Sequence, residues 1–343
     1  MFFKKDKKNY IYFEELHIRH LNLLIDLKNS KDNNWFYKMA IINTFDDLKI
    51  FLKNLERNKY KCIIAIQDNK IISYSYTFPV NKKKTCLKIN SPEIIDNNIS
   101  ISKRELILNL IKQSILNNDL KTSNLIISAD INDNDLISSA RELGFQPLQE
   151  IKLWRNSKKN GEDIFEVDYK NHIYESINKL NIQEFLNFIR SSESILIRNI
   201  FNFEKEDIFK RTDKYCGFLK KNNEIIFGII KDITYQNQQV YSIVKGLLIS
   251  EGIEDLIKFL IQDILFKTPS AIFKTSTNDA FINTLLKDIG LEEKSQELIL
   301  VRNTLIRRDI KSFKTINNSI ESILGKINPQ GNIYPSPSPI NNR

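Results

Sequence analysis

Ser102, Lys103 and Arg104 stand together at the start of a segment whose apolar residues, Leu106, Ile107, Leu110, Ile111 and Ile115, recur at helical spacing. A hydroxyl, two cations and the free N–H groups of a helix start could together hold a phosphate. A capped helix with solvated charges accounts for the same residues. Tyr74 and Tyr76 occupy alternate positions of a strand-like run and share a face, so they could line a groove. The β-propensity and packing of tyrosine explain them as well. Cys62, Cys86 and Cys216 are widely spread, and His17, His20 and His172 do not cluster near them. An odd, sparse count argues against a disulfide framework and against a zinc site, and no metal is expected. Each cysteine reads as a small buried apolar residue rather than a nucleophile.

The elements that must position these residues occur twice. Asn132-Asp133 opens one copy and Asn278-Asp279 the other, and a glycine, Gly144 or Gly290, follows twelve residues after the asparagine. Asn or Asp caps a helix start. Leu136, Ile137, Ala140 and Leu143 then recur at helical spacing, and the glycine ends the helix where a left-handed residue is needed. Gln149-Glu150 and Gln296-Glu297 each begin a closing run of the form Gln-Glu-aliphatic-x-Leu-x-Arg-Asn. A hairpin also recurs. Residues 62–66 and 71–76 flank Asp68-Asn69, residues 216–219 and 225–230 flank Asn222-Asn223, and Asn69 and Asn223 each lie seven residues after a cysteine. Two motifs in the same order in both halves indicate an internal duplication.

The chain has 343 residues, 41% hydrophobic and 27% charged, as in a soluble globular protein of two domains. It lacks an apolar run of membrane-spanning length and an apolar secretory core, so a cytoplasmic location is expected. The net charge of +9 suits an anionic partner. Lys, Asn and Ile are frequent everywhere, however, so the charge does not by itself point to nucleic acid.

In order, the sequence predicts a basic disordered tail over 1–9, a strand over 10–13, helices over 21–27 and 45–55, and the first hairpin. A strand over 85–89, a helix over 102–116 and a strand over 125–127 lead into the first Asn-Asp segment and its closing strand at 151–154. A polar linker spans 157–170. The second half repeats the pattern with a strand over 239–248, a helix over 253–266 and a strand over 271–273. A helix within 309–327 and a disordered Pro-rich tail over 328–343 end the chain.

This order resembles the GNAT superfamily, the Gcn5-related N-acyltransferases, over roughly 10–156 and 171–303. The resemblance implies an α/β chain of two tandem GNAT-like domains, 10–156 and 171–308, each a mixed, largely antiparallel sheet flanked by helices. It implies that acetyl-CoA or another acyl-CoA enters between splayed fourth and fifth strands and that the acceptor is an amine. In the family's phosphate loop, Gly252 fits the last glycine, Ser250 stands for an earlier one, Leu247 replaces a Gln or Arg, and Glu251 would repel a pyrophosphate. The first-half loop over 90–100 has no glycine, which leaves Ser102, Lys103 and Arg104 as its phosphate candidates. The family's CoA-facing asparagine falls on Asp133 and Asp279, with Asn132 and Asn278 one residue earlier. Its proton-donating tyrosine falls on Ala140 and Leu286. A base need only deprotonate an ammonium, and Glu93 is the acidic candidate behind the first half's fourth strand, with Tyr74 and Tyr76 nearby.

Three functions are compatible with these residues. The first is an acyl-CoA-dependent N-acyltransferase with one working half, preferably the second because it carries Gly252. The second is a non-catalytic GNAT-like binding or scaffold protein, consistent with the missing loops and tyrosine. The third resembles the Fem-type ligases, which pair two such domains and use aminoacyl-tRNA; their helical arm is not evident here.

Overall fold

The computed structural model describes residues 10–25, 61–96, 98–118, 122–156, 173–232, 234–235, 238–246 and 253–304. The tails, the 157–170 linker, the helices expected over 45–55 and within 309–327, and Ser250-Glu251-Gly252 lie outside the described residues.

Both hairpins form where the sequence predicts. Strand β2 (Lys61–Gln67) turns into β3 (Lys70–Pro79) through Asp68 and Asn69 at φ 50° and 60°. Strand β9 (Gly217–Lys221) turns into β10 (Glu224–Lys231) through Asn222 and Asn223 at φ 51° and 65°. Two successive left-handed residues match the twist of the flanking strands, and Asn and Asp tolerate that region better than most side chains.

A parallel pair with a helical crossover follows in each half. In the first, β4 (Cys86–Ile89) lies beside β6 (Asn124–Asp130), and helix α2 (Lys103–Leu116) connects them. Short β5 (Glu93–Ile94) pairs back onto β3. In the second, β11 (Val240–Lys245) lies beside β12 (Ile272–Ser276), connected by α7 (Ile253–Lys267). Each half closes with a capped helix, a glycine and a long strand. These are α3 (Asn134–Glu142) and β7 (Gln146–Asn156), then α8 (Ala280–Asp288) and β13 (Leu291–Asn303). Gly144 and Gly290 sit at φ +86° and +91°, as a helix-ending glycine should. The cap is the aspartate of each Asn-Asp pair: Asp133 accepts from Leu136 N at 3.1 Å and Asp279 from Ile282 N at 3.2 Å.

The last strands are exchanged between the halves. β13 inserts beside β6 of the first half, β7 lies beside β12 of the second, and the two pair antiparallel with each other. One sheet results, in the order β1-β2-β3-β4-β6-β13-β7-β12-β11-β10-β9-β8, with β1 (Tyr12–Glu15) and β8 (Ile173–Ser176) at its ends. Core residues travel with the strands. Leu300, fully buried, packs with Ile89, Ile107 and Leu136 of the first half. Trp154, 1% exposed, packs with Phe273 and Leu286 of the second, and its Nε1 donates to Thr275 Oγ1 at 2.9 Å.

The register corrects one feature of the sequence repeat. Leu148 in β7 and Lys294 in β13, each four residues past its glycine, have no opposite number in the β7–β13 ladder. With these matching bulges, Ile151 and Glu297 face each other at the centre of an approximate two-fold arrangement. Glu150 therefore corresponds to Gln296, and the two closing Gln-Glu motifs are one residue out of structural register. A one-residue slip sends every side chain to the other face, so that motif is not a shared structural device, whereas the Asn-Asp and glycine positions are.

Three helices precede the second hairpin: α4 (Ile182–Ser192), α5 (Ile195–Phe201) and α6 (Lys205–Lys210), and α1 (Leu21–Ile25) follows β1 in the first half. The loop after β3 reaches them. Asn81 Nδ2 donates to Phe201 O at 2.9 Å, and Lys82 N to Asp207 Oδ1 at 2.6 Å.

Because each half's sheet is completed by the other's strand, unfolding in urea is expected to be a single transition. Tryptophan fluorescence and far-ultraviolet dichroism should coincide, and two separated transitions would contradict the exchange. Gly290→Ala is expected to lower the unfolding free energy by about 1 kcal/mol, because it forces a Cβ into the left-handed region.

Candidate functional site

Each parallel pair stops short, and its strands then part. In the first half pairing ends at Ile89 and Ile127, and Ser91 Oγ donates to Ser128 O at 3.0 Å across the gap. In the second half it ends at Ser242 and Lys274. There β11 runs on through Ile243, Val244 and Lys245, paired with β10 on one side. Its other edge has no strand beside it among the described residues. Farther along, Lys245 Nζ meets Asp279 Oδ1 at 2.9 Å.

A cleft of 440 Å³ adjoins this open edge, between the sheet and the α4–α5 segment. Ile189, Ile197, Phe201 and Phe203 supply its apolar wall, and Ser276 and Ile282 lie opposite. Glu193, between the two helices, also lines it. Burial pushes the Glu193 carboxyl above the usual range, and Arg211, Lys274 and Arg198 offset this in part. Sequence reading missed Glu193, which ends one helix just ahead of the Ser194 cap of the next.

A second cleft, of 540 Å³, lies in the first half and brings Tyr74, Tyr76 and Glu93 together. The Tyr74 hydroxyl donates to Glu93 Oε2. Asp130, Asp133 and Glu297 add carboxylates, and Tyr235 and Gln238 arrive from the second half. Ser128 and Thr234 line both clefts.

Between the clefts lies a buried polar cluster that the sequence reading did not identify. Asp232, 3% exposed, accepts from Lys274 Nζ at 2.6 Å, Thr234 Oγ1 at 2.7 Å and Ser242 Oγ at 3.3 Å. Burial alone would raise the Asp232 carboxyl; Lys274, Arg211 and these donors more than reverse it and hold it well below the usual range. Tyr235 donates to Glu297 Oε2 at 2.7 Å, and burial with the nearby carboxylates pushes its phenol up. Lys88 lies under Tyr235, its Nζ 4.6 Å from the ring centroid. The available signal was a lysine inside each of two apolar strands, Cys86-Leu87-Lys88-Ile89 and Ile272-Phe273-Lys274.

The remaining candidates are placed as follows. Ser102 caps α2, accepting from Glu105 N at 3.1 Å. Arg104 pairs with Glu142 at 2.7 Å, and Lys103 stands 4.0 Å from Asp135. Lys103 shares a surface hollow with Asn132, Asp130 and Asp133. Asn132 and Asn278 are exposed. All three cysteines are buried, and burial raises every thiol, Cys86 and Cys216 to about 12. Among the described residues, no group of metal-ligating side chains is arranged to hold an ion, and no helix is long and apolar enough to cross a membrane.

No protein-family profile and no curated protein sequence matches the chain. Solved structures do. A GCN5-related N-acetyltransferase from Sphaerobacter thermophilus is 8% identical, with 85% of this chain and 95% of that chain aligned at a TM-score of 0.53. A tandem GNAT protein from the clavulanic acid biosynthesis pathway is 6% identical over 86% of this chain and 98% of its own, at 0.50. A glucosamine N-acetyltransferase region of a fungal multi-domain β-N-acetylglucosaminidase is 9% identical over 86% of this chain and 38% of that one, at 0.50. These likenesses show the fold: two GNAT-like folds in tandem, each a mixed sheet flanked by helices.

Removing the Lys274 ammonium strands the Asp232 carboxylate. Lys274→Met is expected to cost about 3 kcal/mol in urea unfolding, and adding Asp232→Asn to restore most of it. Because the folded Asp232 carboxyl is held low, its contribution is full at neutral pH and is lost as the pH falls below about 4. Lys274→Met should flatten that acid limb.

Proposed function

We propose that the chain is an acyl-CoA-dependent N-acyltransferase that moves an acetyl or other acyl group to an amine, with the second half working and the first degenerate. The observation that carries this reading is the open edge of β11 past Ser242, beside a cleft of 440 Å³. The pantetheine arm of acyl-CoA bears amides, and an exposed strand edge offers them the hydrogen bonds that a neighbouring strand would. Ser250, Gly252 and Asn278 are the residues proposed to face the cofactor, with the pyrophosphate at the start of α7.

The first half fits such a ligand less well. Its opening is bridged by Ser91 and Ser128. Its alternative set, Ser102, Lys103, Arg104 and Asn132, is crowded by Asp130, Asp133 and Asp135, which repel phosphate.

Glu193 is the proposed general base. It would take the proton from the acceptor's ammonium, freeing the nitrogen lone pair to attack the thioester carbonyl. A carboxyl lifted by burial lies closer to the working pH and is a stronger base than a solvated one. Phe201, Phe203 and Ile197 would exclude water around the acceptor. Tyr74, Tyr76 and Glu93 line the first-half cleft.

A non-catalytic binding role is the second reading. It is favoured by Ala140 and Leu286, both fully buried where the resemblance calls for a proton-donating tyrosine.

Calorimetric titration with acetyl-CoA is expected to give about one site per chain, with Gly252→Glu abolishing it. Glu193→Gln should leave binding intact and slow transfer to a panel of amines by about a hundredfold or more. In the unaltered chain, transfer should fall as the pH drops through the raised Glu193 value. Absence of binding at millimolar acetyl-CoA would sink the acyltransferase reading and leave the binding role.

A further inference from the structure

Lys88 lies in the middle of β4, 4% exposed, in the wall of the first-half cleft. Among the described residues its Nζ has two partners: Thr234 O at 3.3 Å and the Tyr235 ring, 4.6 Å from the centroid. Lys274 approaches the same ring at 5.7 Å but is held by Asp232 at 2.6 Å. Glu297, the other carboxylate nearby, is engaged by the Tyr235 hydroxyl. Two cations thus flank one ring, and the available carboxylates are spent on Lys274 and on the phenol. Lys88 has no carboxylate within ion-pair distance among the described residues.

A lysine desolvated in a pocket and set near a second cation is the arrangement that favours a neutral, nucleophilic amine. The charged and titratable groups facing it are Asp232 and Tyr235 in the loop between β10 and β11, Lys274 on β12 and Glu297 on β13. Asp130, Glu93, Tyr74 and Tyr76 stand across the cleft. Burial lowers the Lys88 amine to about 8; Asp232 and Glu297 pull it back in part, and Lys274 adds to the lowering.

We propose that Lys88 is a covalent site, at which the ε-amine captures a small aldehyde or ketone entering the first-half cleft and holds it as an imine. The Nζ lone pair forms the N–C bond as the carbonyl π pair moves to oxygen. One proton passes from nitrogen to that oxygen, and the oxygen leaves as water with the second nitrogen proton. Amine and carbonyl give imine and water, with no change of oxidation state. The site does not depend on the acyltransferase reading.

The test uses the full chain with propanal and cyanoborohydride. The reagent delivers hydride to the imine carbon while water protonates nitrogen, fixing the adduct for peptide mass mapping. At neutral pH the neutral fraction of an amine titrating near 8 exceeds that of an ordinary lysine by on the order of a hundredfold. Label on Lys88 should therefore exceed the median of the other lysines by about tenfold or more, allowing for the lower basicity. It should level off above about pH 8, while surface lysines keep gaining towards their ordinary value. Lys88→Met should remove that label and leave the rest unchanged. Label spread evenly over surface lysines, or a Lys88 signal still climbing beyond about pH 9, would overturn the proposal. Both of those readings come from the unaltered chain and do not require the variant to fold.

Discussion

Ile151 and Glu297 face each other across the ladder of β7 and β13, and one side chain looks into each cleft. That antiparallel pairing is the contact from which the rest of the architecture follows. It joins the two halves into one sheet and carries Trp154 and Leu300 into each other's cores. It also fixes the distance between the two strand openings. A conventional domain interface would leave each core complete by itself; here the buried apolar surface of either half is completed only by the other's strand. The loops that reach across, Asn81 to Phe201 and Tyr235 to Glu297, add directional hydrogen bonds to the same junction.

The junction is also where the charge is. Asp232 and Tyr235 come from the loop between β10 and β11, Lys88 from β4, Lys274 from β12 and Glu297 from β13, and burial acts on Asp232, Lys88 and Tyr235. Direct contact decides the outcome for each group. Asp232 has an ammonium at 2.6 Å and hydroxyl donors, and stays ionised. Lys88 has a carbonyl and a ring, which stabilise an ammonium far less than a carboxylate does, and its proton is held loosely. Both groups therefore give up their protons more readily, which leaves Asp232 charged and draws Lys88 towards its neutral form.

Much of the local structure was legible in the sequence. The turn pairs Asp68-Asn69 and Asn222-Asn223, the caps Asp133 and Asp279 and the glycines at positive φ are local requirements, and local requirements leave marks on residue type. The strand exchange leaves no such mark, because β7 and β13 would look the same paired within their own halves. The apparent alignment of Gln149-Glu150 with Gln296-Glu297 misled for a related reason: a bulge shifts register without a signature in a polar stretch. Of the candidate site residues, Tyr74, Tyr76 and Glu93 proved to be neighbours through the β3–β5 pairing. Glu193 and the Lys88 cluster were missed because their importance lies in what surrounds them, which spacing along the chain does not encode.

The exchanged strand also has a consequence for synthesis. The ribosome delivers the chain from its N-terminus, and β6 must wait for β13, more than a hundred residues later, before its free edge is covered. At typical elongation rates of roughly 5–20 residues per second, that edge and the apolar face under α3 stay open for on the order of ten seconds. An uncovered strand edge is a template for pairing with other chains. The nascent first half is thus a natural client for chaperones, and crowded polysomes are where two copies would trade their last strands by mistake.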